Sequence, residues 1–191
     1  MTRLRQLSMD EMSAEQLELA NALLSSRRAG QHDKIEVARG PFNAWFRIPA
    51  FGLLAERMGA FCRYETSLSP LQSELCILVV ACRYRSAFEF ELHARMAQQA
   101  GLSENAIAAL LAGRSPEAEL GEPERLIYRF CHQLCHRGQI EEAVYQEAAA
   151  RFGEQALVEI VAVVGYYSLV SLALNAFEVQ SEAPVDFGGP A

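Results

Sequence analysis

The sequence predicts an all-α fold, and three observations carry that expectation. Hydrophobic residues make up 51% of the chain against 21% charged, and the helix formers Ala, Leu, Glu and Gln are abundant. No Asn-Gly or Asp-Gly pair offers a tight hairpin, and no stretch alternates apolar and polar residues convincingly at the period of a strand. Apolar positions instead recur every three or four residues. At 191 residues the chain buries roughly 70% of its unfolded surface and needs no cross-links to fold.

The elements follow in order from their start and stop signals. Ser13 opens "SAEQ", the Ser-x-x-Gln pattern of a capping box, for a helix running to about Arg28. The polar passage "RAGQHDKIEVARGPFN" is broken by Gly30, Gly40 and Pro41, and His32 lies exposed within it. Pro49 then opens a helix with Phe51, Leu54, Met58 and Phe61 on one face. Ser69, Pro70 and Gln72 form a second capping box before "LQSELCILVVACR", apolar enough to be central. After a short link at Tyr84–Ser86 comes "FEFELHARMAQQA", stopped by Gly101. Ser103 caps a short helix that ends at Gly113.

The break "RSPEAELGEP" divides an N-terminal half, 1–113, from a C-terminal helical half, 114–180, packed on the same core. Helices are expected there at about 123–137, 140–151 and 154–180, the last bent near Gly165. The tail 181–191 has little to bury and is expected to be disordered.

Charge and cysteine usage narrow the class. A formal net charge of −7 argues against nucleic acid or an anionic membrane surface as partner, since both require a basic footprint. The N-terminal "MTRLRQLSMDEMSAEQ" holds no apolar core of signal-peptide length, and the five cysteines read as reduced thiols of a cytoplasmic protein. "ALVEIVAVVGYYSLVSLALNAF" has the length of a membrane span, but it contains Glu159, Ser168, Ser171 and Asn175 and has no basic cluster at either end. It reads as a helix buried in a core or a subunit interface.

The chemistry concentrates around one pair of helices. Glu89 and His93 are four residues apart and therefore share a helix face. An antiparallel pairing with the preceding helix brings Glu74 toward the His93 end. Two carboxylates around an imidazole form a proton-handling group, although the spacing alone equally suits an ordinary packed pair.

"LSPLQSELCILVVACRYRSAFEFELHARMAQQAGLSENAIAALLAG" resembles the carboxymuconolactone decarboxylase family, which includes the alkylhydroperoxidase AhpD. The matching features are Glu74, "FEFELH" and "GLS", with weaker similarity over nearly the whole chain. The resemblance implies an AhpD-like helical bundle, an intertwined homo-oligomer (trimer or hexamer), a small-molecule substrate, and no metal or organic cofactor. In the peroxidase branch a Cys-x-x-Cys motif stands where this chain has Ser86 and Glu89, so this chain lacks that dithiol. The decarboxylase branch implies a lyase acting on a small carboxylated lactone or related acid. Its roles fall on His93 as general acid/base, Glu89 as orienting or proton-sharing partner and Glu74 as relay. Arg83, Arg85, Ser86 and Tyr166 are candidate substrate-binding residues, the arginines as carboxylate clamps. The alternatives are a thiol peroxidase using Cys82 and a non-catalytic oligomeric binding protein.

"CHQLCH" (131–136) is one residue too long for a Cys-x-x-Cys-His haem attachment, and no second cluster completes a zinc site. It reads as part of an amphipathic helix, with Leu126, Ile127, Phe130, Cys131 and Leu134 facing inward.

Overall fold

The computed structural model describes residues 2–25 and 39–188. Among them are eight α-helices and no strand: α1 (Ala14–Ser25), α2 (Phe42–Trp45), α3 (Pro49–Tyr64), α4 (Pro70–Tyr84), α5 (Ala87–Gln99), α6 (Glu104–Leu111), α7 (Glu122–Arg137) and α8 (Glu142–Ala176). His32 and the expected helix end at Arg28 lie outside the described residues. The chain divides into two compact units, Met1–Thr66 with Ala173–Gln180, and Ser67–Leu172 with Ser181–Ala191. The division expected at 113/114 thus falls inside the second unit.

In the first unit, α1 packs on α3, as does α2. The Ser13 capping box is formed: the Ser13 amide donates to Gln16 Oε1 at 2.9 Å, and the Gln16 amide donates to Ser13 Oγ at 3.3 Å. The inward face of α3 is Gly52, Ala55, Glu56, Gly59 and Cys62. Small residues win that face because they let neighbouring backbones approach closely. The larger stripe of Phe51, Leu54, Met58 and Phe61 points outward, with Leu54 71% exposed.

The second unit is built around α4, which packs against α5, α6 and α7. Its capping box is also formed, with Ser69 Oγ accepting from the Gln72 amide and Gln72 Oε1 accepting from the Ser69 amide. Every residue from Ser73 to Ala81 is buried. Each aliphatic side chain so enclosed stabilises the fold by about 1.5–3 kcal/mol, which makes α4 the central strut. On α7, Leu126, Ile127, Phe130 and Cys131 are buried as the sequence pattern requires, while Leu134 is only half-buried. Cys131 Sγ lies 3.3 Å from Cys76 Sγ on α4.

The long C-terminal helix is interrupted at Gly153, where φ is 80° and ψ is 161°. An L side chain rarely adopts that conformation, so glycine sets the break. Gly165, where the sequence suggests a bend, keeps helical backbone angles, and the non-helical residue within α8 is Gly153. By length and composition α8 is apolar enough to cross a membrane. Its Glu159 is nevertheless buried and satisfied: Oε2 accepts from the Ser67 amide at 2.8 Å and from Ser67 Oγ at 2.6 Å, while Oε1 accepts from Gln155 at 2.8 Å.

The tail corrects a second expectation. Residues 181–188 find something to bury: Phe187 is 9% exposed and meets Phe90 edge-on at 5.6 Å. The Gly188 amide donates to Leu111 O at 2.9 Å. A Cβ at Gly188 would sit 2.9 Å from Ala112 Cα, so a larger residue is excluded there by backbone rather than by a movable side chain.

Candidate functional site

The α4–α5 hairpin creates the site. Arg85 takes the left-handed conformation (φ 51°) after α4, and the Ser86 amide donates back to Ala81 O at 2.9 Å. Ser86 is then at once the N-cap of α5, so the link is as short as two residues. The helices return antiparallel, and the buried face of α5, Glu89, Phe90, His93 and Ala97, is laid against α4.

On that face the imidazole of His93 is held between two carboxylates. Nδ1 is 2.7 Å from Glu74 Oε2, and Nε2 is 3.3 Å from Glu89 Oε2. The three residues are 3%, 6% and 3% exposed for His93, Glu74 and Glu89, so the cluster is sealed from bulk water. The Glu74 contact is a formed hydrogen bond; the Glu89 contact has ion-pair distance, but Glu89 Oε2 lacks a hydrogen-bond partner. Glu74 meets the ring directly at Nδ1, and Glu89 faces its other nitrogen, so both carboxylates expected around the imidazole touch it.

Burial on its own would lower the His93 pKa, but the bonds and charges of Glu74 and Glu89 outweigh it and raise the pKa above the ordinary imidazole value. The two carboxylates thus favour the protonated ring against the effect of burial.

Tyr167 closes the cluster. Its ring meets His93 edge-to-face at 5.2 Å and 85°, and Tyr166 stacks edge-on against Tyr167 in turn. Tyr167 is thus an aromatic neighbour of the imidazole, and the candidate Tyr166 is packed against Tyr167. The two are adjacent on a helix apolar on nearly all sides, which gives the sequence no polar face to fix the rotation.

Ser86 lies where expected, fully buried at the start of α5, and its Oγ makes no hydrogen bond. Ser86 lies three residues before Glu89 on one side of the first turn, and its buried oxygen is unpartnered. Native interiors rarely tolerate such atoms without a reason, and a ligand's polar group is one.

Arg83 and Arg85 do not join this cluster. Arg83 lies about 14 Å along α4 from Glu74 by helical rise, and it donates through Nε to Cys135 O. Arg85 donates to Phe187 O and lies over the Phe187 ring. Both line another cavity, whose walls include none of Glu74, Glu89 and His93. Cys82 borders that same cavity, and burial pushes its thiol pKa up to about 12. The histidines of "CHQLCH" stack on each other at 4.3 Å, and no cluster of three or more His, Cys, Asp or Glu suited to a metal exists among the described residues.

Fold and site together define a helical protein with a buried Glu–His–Glu cluster across a two-helix hairpin. Residues 49–120 match the model of the carboxymuconolactone decarboxylase family. The fold is similar to the crystal structure of an uncharacterized peroxidase-related protein from Silicibacter sp. TM1040, with a TM-score of 0.73 and 16% identity over 98% of this chain and 95% of that one. The segment that matches the family model is the one that carries Glu74, Ser86, Glu89 and His93, and it has no Cys-x-x-Cys pair. No curated protein matches it.

Proposed function

We propose that the chain is a cofactor-independent lyase that decarboxylates a small carboxylated lactone or related acid by proton transfer at His93. The observation that carries this reading is the sealed imidazole between Glu74 and Glu89. In the proposed step the carbon–carboxylate bond breaks and CO₂ leaves. Its electron pair moves into the lactone carbonyl as an enolate. Imidazolium Nε2–H then delivers a proton to carbon, and the ring regains a proton by way of Glu89 when the site opens to solvent between turnovers. Glu74 holds Nδ1 throughout, which keeps the donor nitrogen aimed. The unpartnered Ser86 Oγ supplies a hydrogen bond to the substrate.

The thiol reading, peroxide reduction at Cys82, is disfavoured by chemistry. A thiol with a pKa near 12 offers almost no thiolate nucleophile at neutral pH. Two measurements separate the readings: CO₂ release from a panel of carboxylated lactones, and consumption of hydrogen peroxide. Lactone turnover lost in His93→Ala and kept in Cys82→Ser is expected. Peroxide consumption abolished by Cys82→Ser, with no lactone turnover, would replace the lyase by an oxidoreductase.

The same proposal includes a cytoplasmic homo-oligomer. Ile48, Phe51, Leu54, Met58 and Phe61 stand exposed at helical spacing along α3 and its N-cap, a stripe that a second copy would cover.

A further inference from the structure

We propose that the second unit holds a separate binding site for an organic acid with a flat apolar body, in a cavity of about 460 Å³ between the C-terminal end of α4, the end of α6 and α7. Three guanidinium-bearing residues, Arg83, Arg85 and Arg114, border it, and no Asp or Glu does. In a chain of net charge −7 such a one-signed lining is a local exception, and it attracts an anion. Glu117, the carboxylate that influences Tyr128 and His132 on α7, is engaged by Arg129 at 2.6 Å. It does not neutralise the arginines.

The guanidinium groups are unequally committed. Arg83 gives one N–H to Cys135 O, and Arg85 is fixed against Phe187. Arg114, by contrast, makes no side-chain hydrogen bond or ion pair with a described residue. A planar fork of five donors at the cavity mouth suits a carboxylate held through two parallel bonds. The lining also supplies apolar surface from Val79, Leu110 and Phe187, which matches a ring system rather than a bare inorganic ion. Phe187 is held in that wall because Gly188 is locked against Ala112.

The site is distinct from the Glu74–His93–Glu89 cluster, so its test is independent of the lyase reading. The full-length protein is titrated by calorimetry with naphthoate, with the neutral isostere naphthalenemethanol, and with inorganic phosphate. Naphthoate is expected to bind saturably, to weaken about ten- to a hundredfold in Arg114→Ala as a charge-assisted bond is lost, and to be unaffected by His93→Ala. Circular dichroism melts establish that Arg114→Ala is folded, and Arg114→Lys, which keeps charge but not the fork, is expected to recover only part of the affinity. No binding of naphthoate, or equal binding of naphthalenemethanol, overturns the proposal. Phosphate binding as tightly with the same Arg114 dependence overturns the apolar-body assignment. Naphthoate binding lost in His93→Ala but kept in Arg114→Ala places the acid in the other site and likewise overturns it.

Discussion

His93 Nδ1 and Glu74 Oε2 stand 2.7 Å apart across the α4–α5 hairpin, both shielded from solvent. Glu74→Gln keeps the size and an acceptor oxygen but removes the charge. The His93 pKa is expected to fall, read by NMR titration of the ring protons, and lactone turnover to fall at least about tenfold. An unmoved imidazole titration would show that Glu74 does not govern the proton.

Removing the imidazole itself has two readouts. His93→Gln is expected to lower turnover by about 10²–10⁴-fold, the usual worth of a positioned general acid. It also strands two buried carboxylates that the ring had bridged, at a cost of about 3–5 kcal/mol in urea unfolding. Full activity in a folded His93→Gln protein would remove this residue from the reaction.

The raised His93 pKa makes stability depend on pH in a definite direction. Burial opposes the charged ring, but Glu74 and Glu89 prevail, so the native state holds the proton more tightly than the unfolded chain does. The resulting stabilisation is complete below the unfolded value of about 6.5 and is lost as pH rises through the higher native value. The stability gap between the unmodified protein and His93→Gln should therefore shrink from mildly acidic to alkaline buffer. A gap that widens with pH would contradict the assignment.

Glu159→Ala probes a buried carboxylate away from His93. It leaves the Ser67 amide and hydroxyl without their acceptor just ahead of α4, and about 1–3 kcal/mol of stability should be lost. Burial would raise the Glu159 pKa, yet the bonds from Gln155 and Ser67 win and hold it below the ordinary carboxyl range. This contribution is present above about pH 4.3 and disappears as pH falls through the lower native value. Denaturant melts at two acidic pH values and at neutrality would measure it.

The α3 stripe gives an assembly test. Leu54→Lys, at a site 71% exposed within the chain, should leave the monomer's fold intact and shift the particle toward monomer in sedimentation experiments. An unchanged sedimentation coefficient would move the interface elsewhere.

Much of this architecture is legible in the residues. Capping boxes at Ser13 and Ser69 and the cap at Ser103 announce three helix starts, because the hydrogen bonds involved are local. Glu89 and His93 are legible for the same reason, as neighbours on one turn, and the short link after Tyr84 brings Glu74 to them. What depends on distant packing is hidden. The contact of Tyr167 with the imidazole and the outward turn of the α3 stripe are set by neighbours far away in sequence, whereas the break expected between residues 151 and 154 falls at Gly153. Phe187 is a lone aromatic in a polar tail, and no periodicity marks it as part of a wall.

The helix that carries Glu74 is also the one on which α5, α6 and α7 are assembled. Tolerance to amino-acid change must therefore be very uneven around the reactive cluster. Mutant libraries placed along 74–81 would return mostly unfolded chains whatever was selected for, whereas Phe88 and Leu92, half-buried on α5 on either side of Glu89, have room to vary.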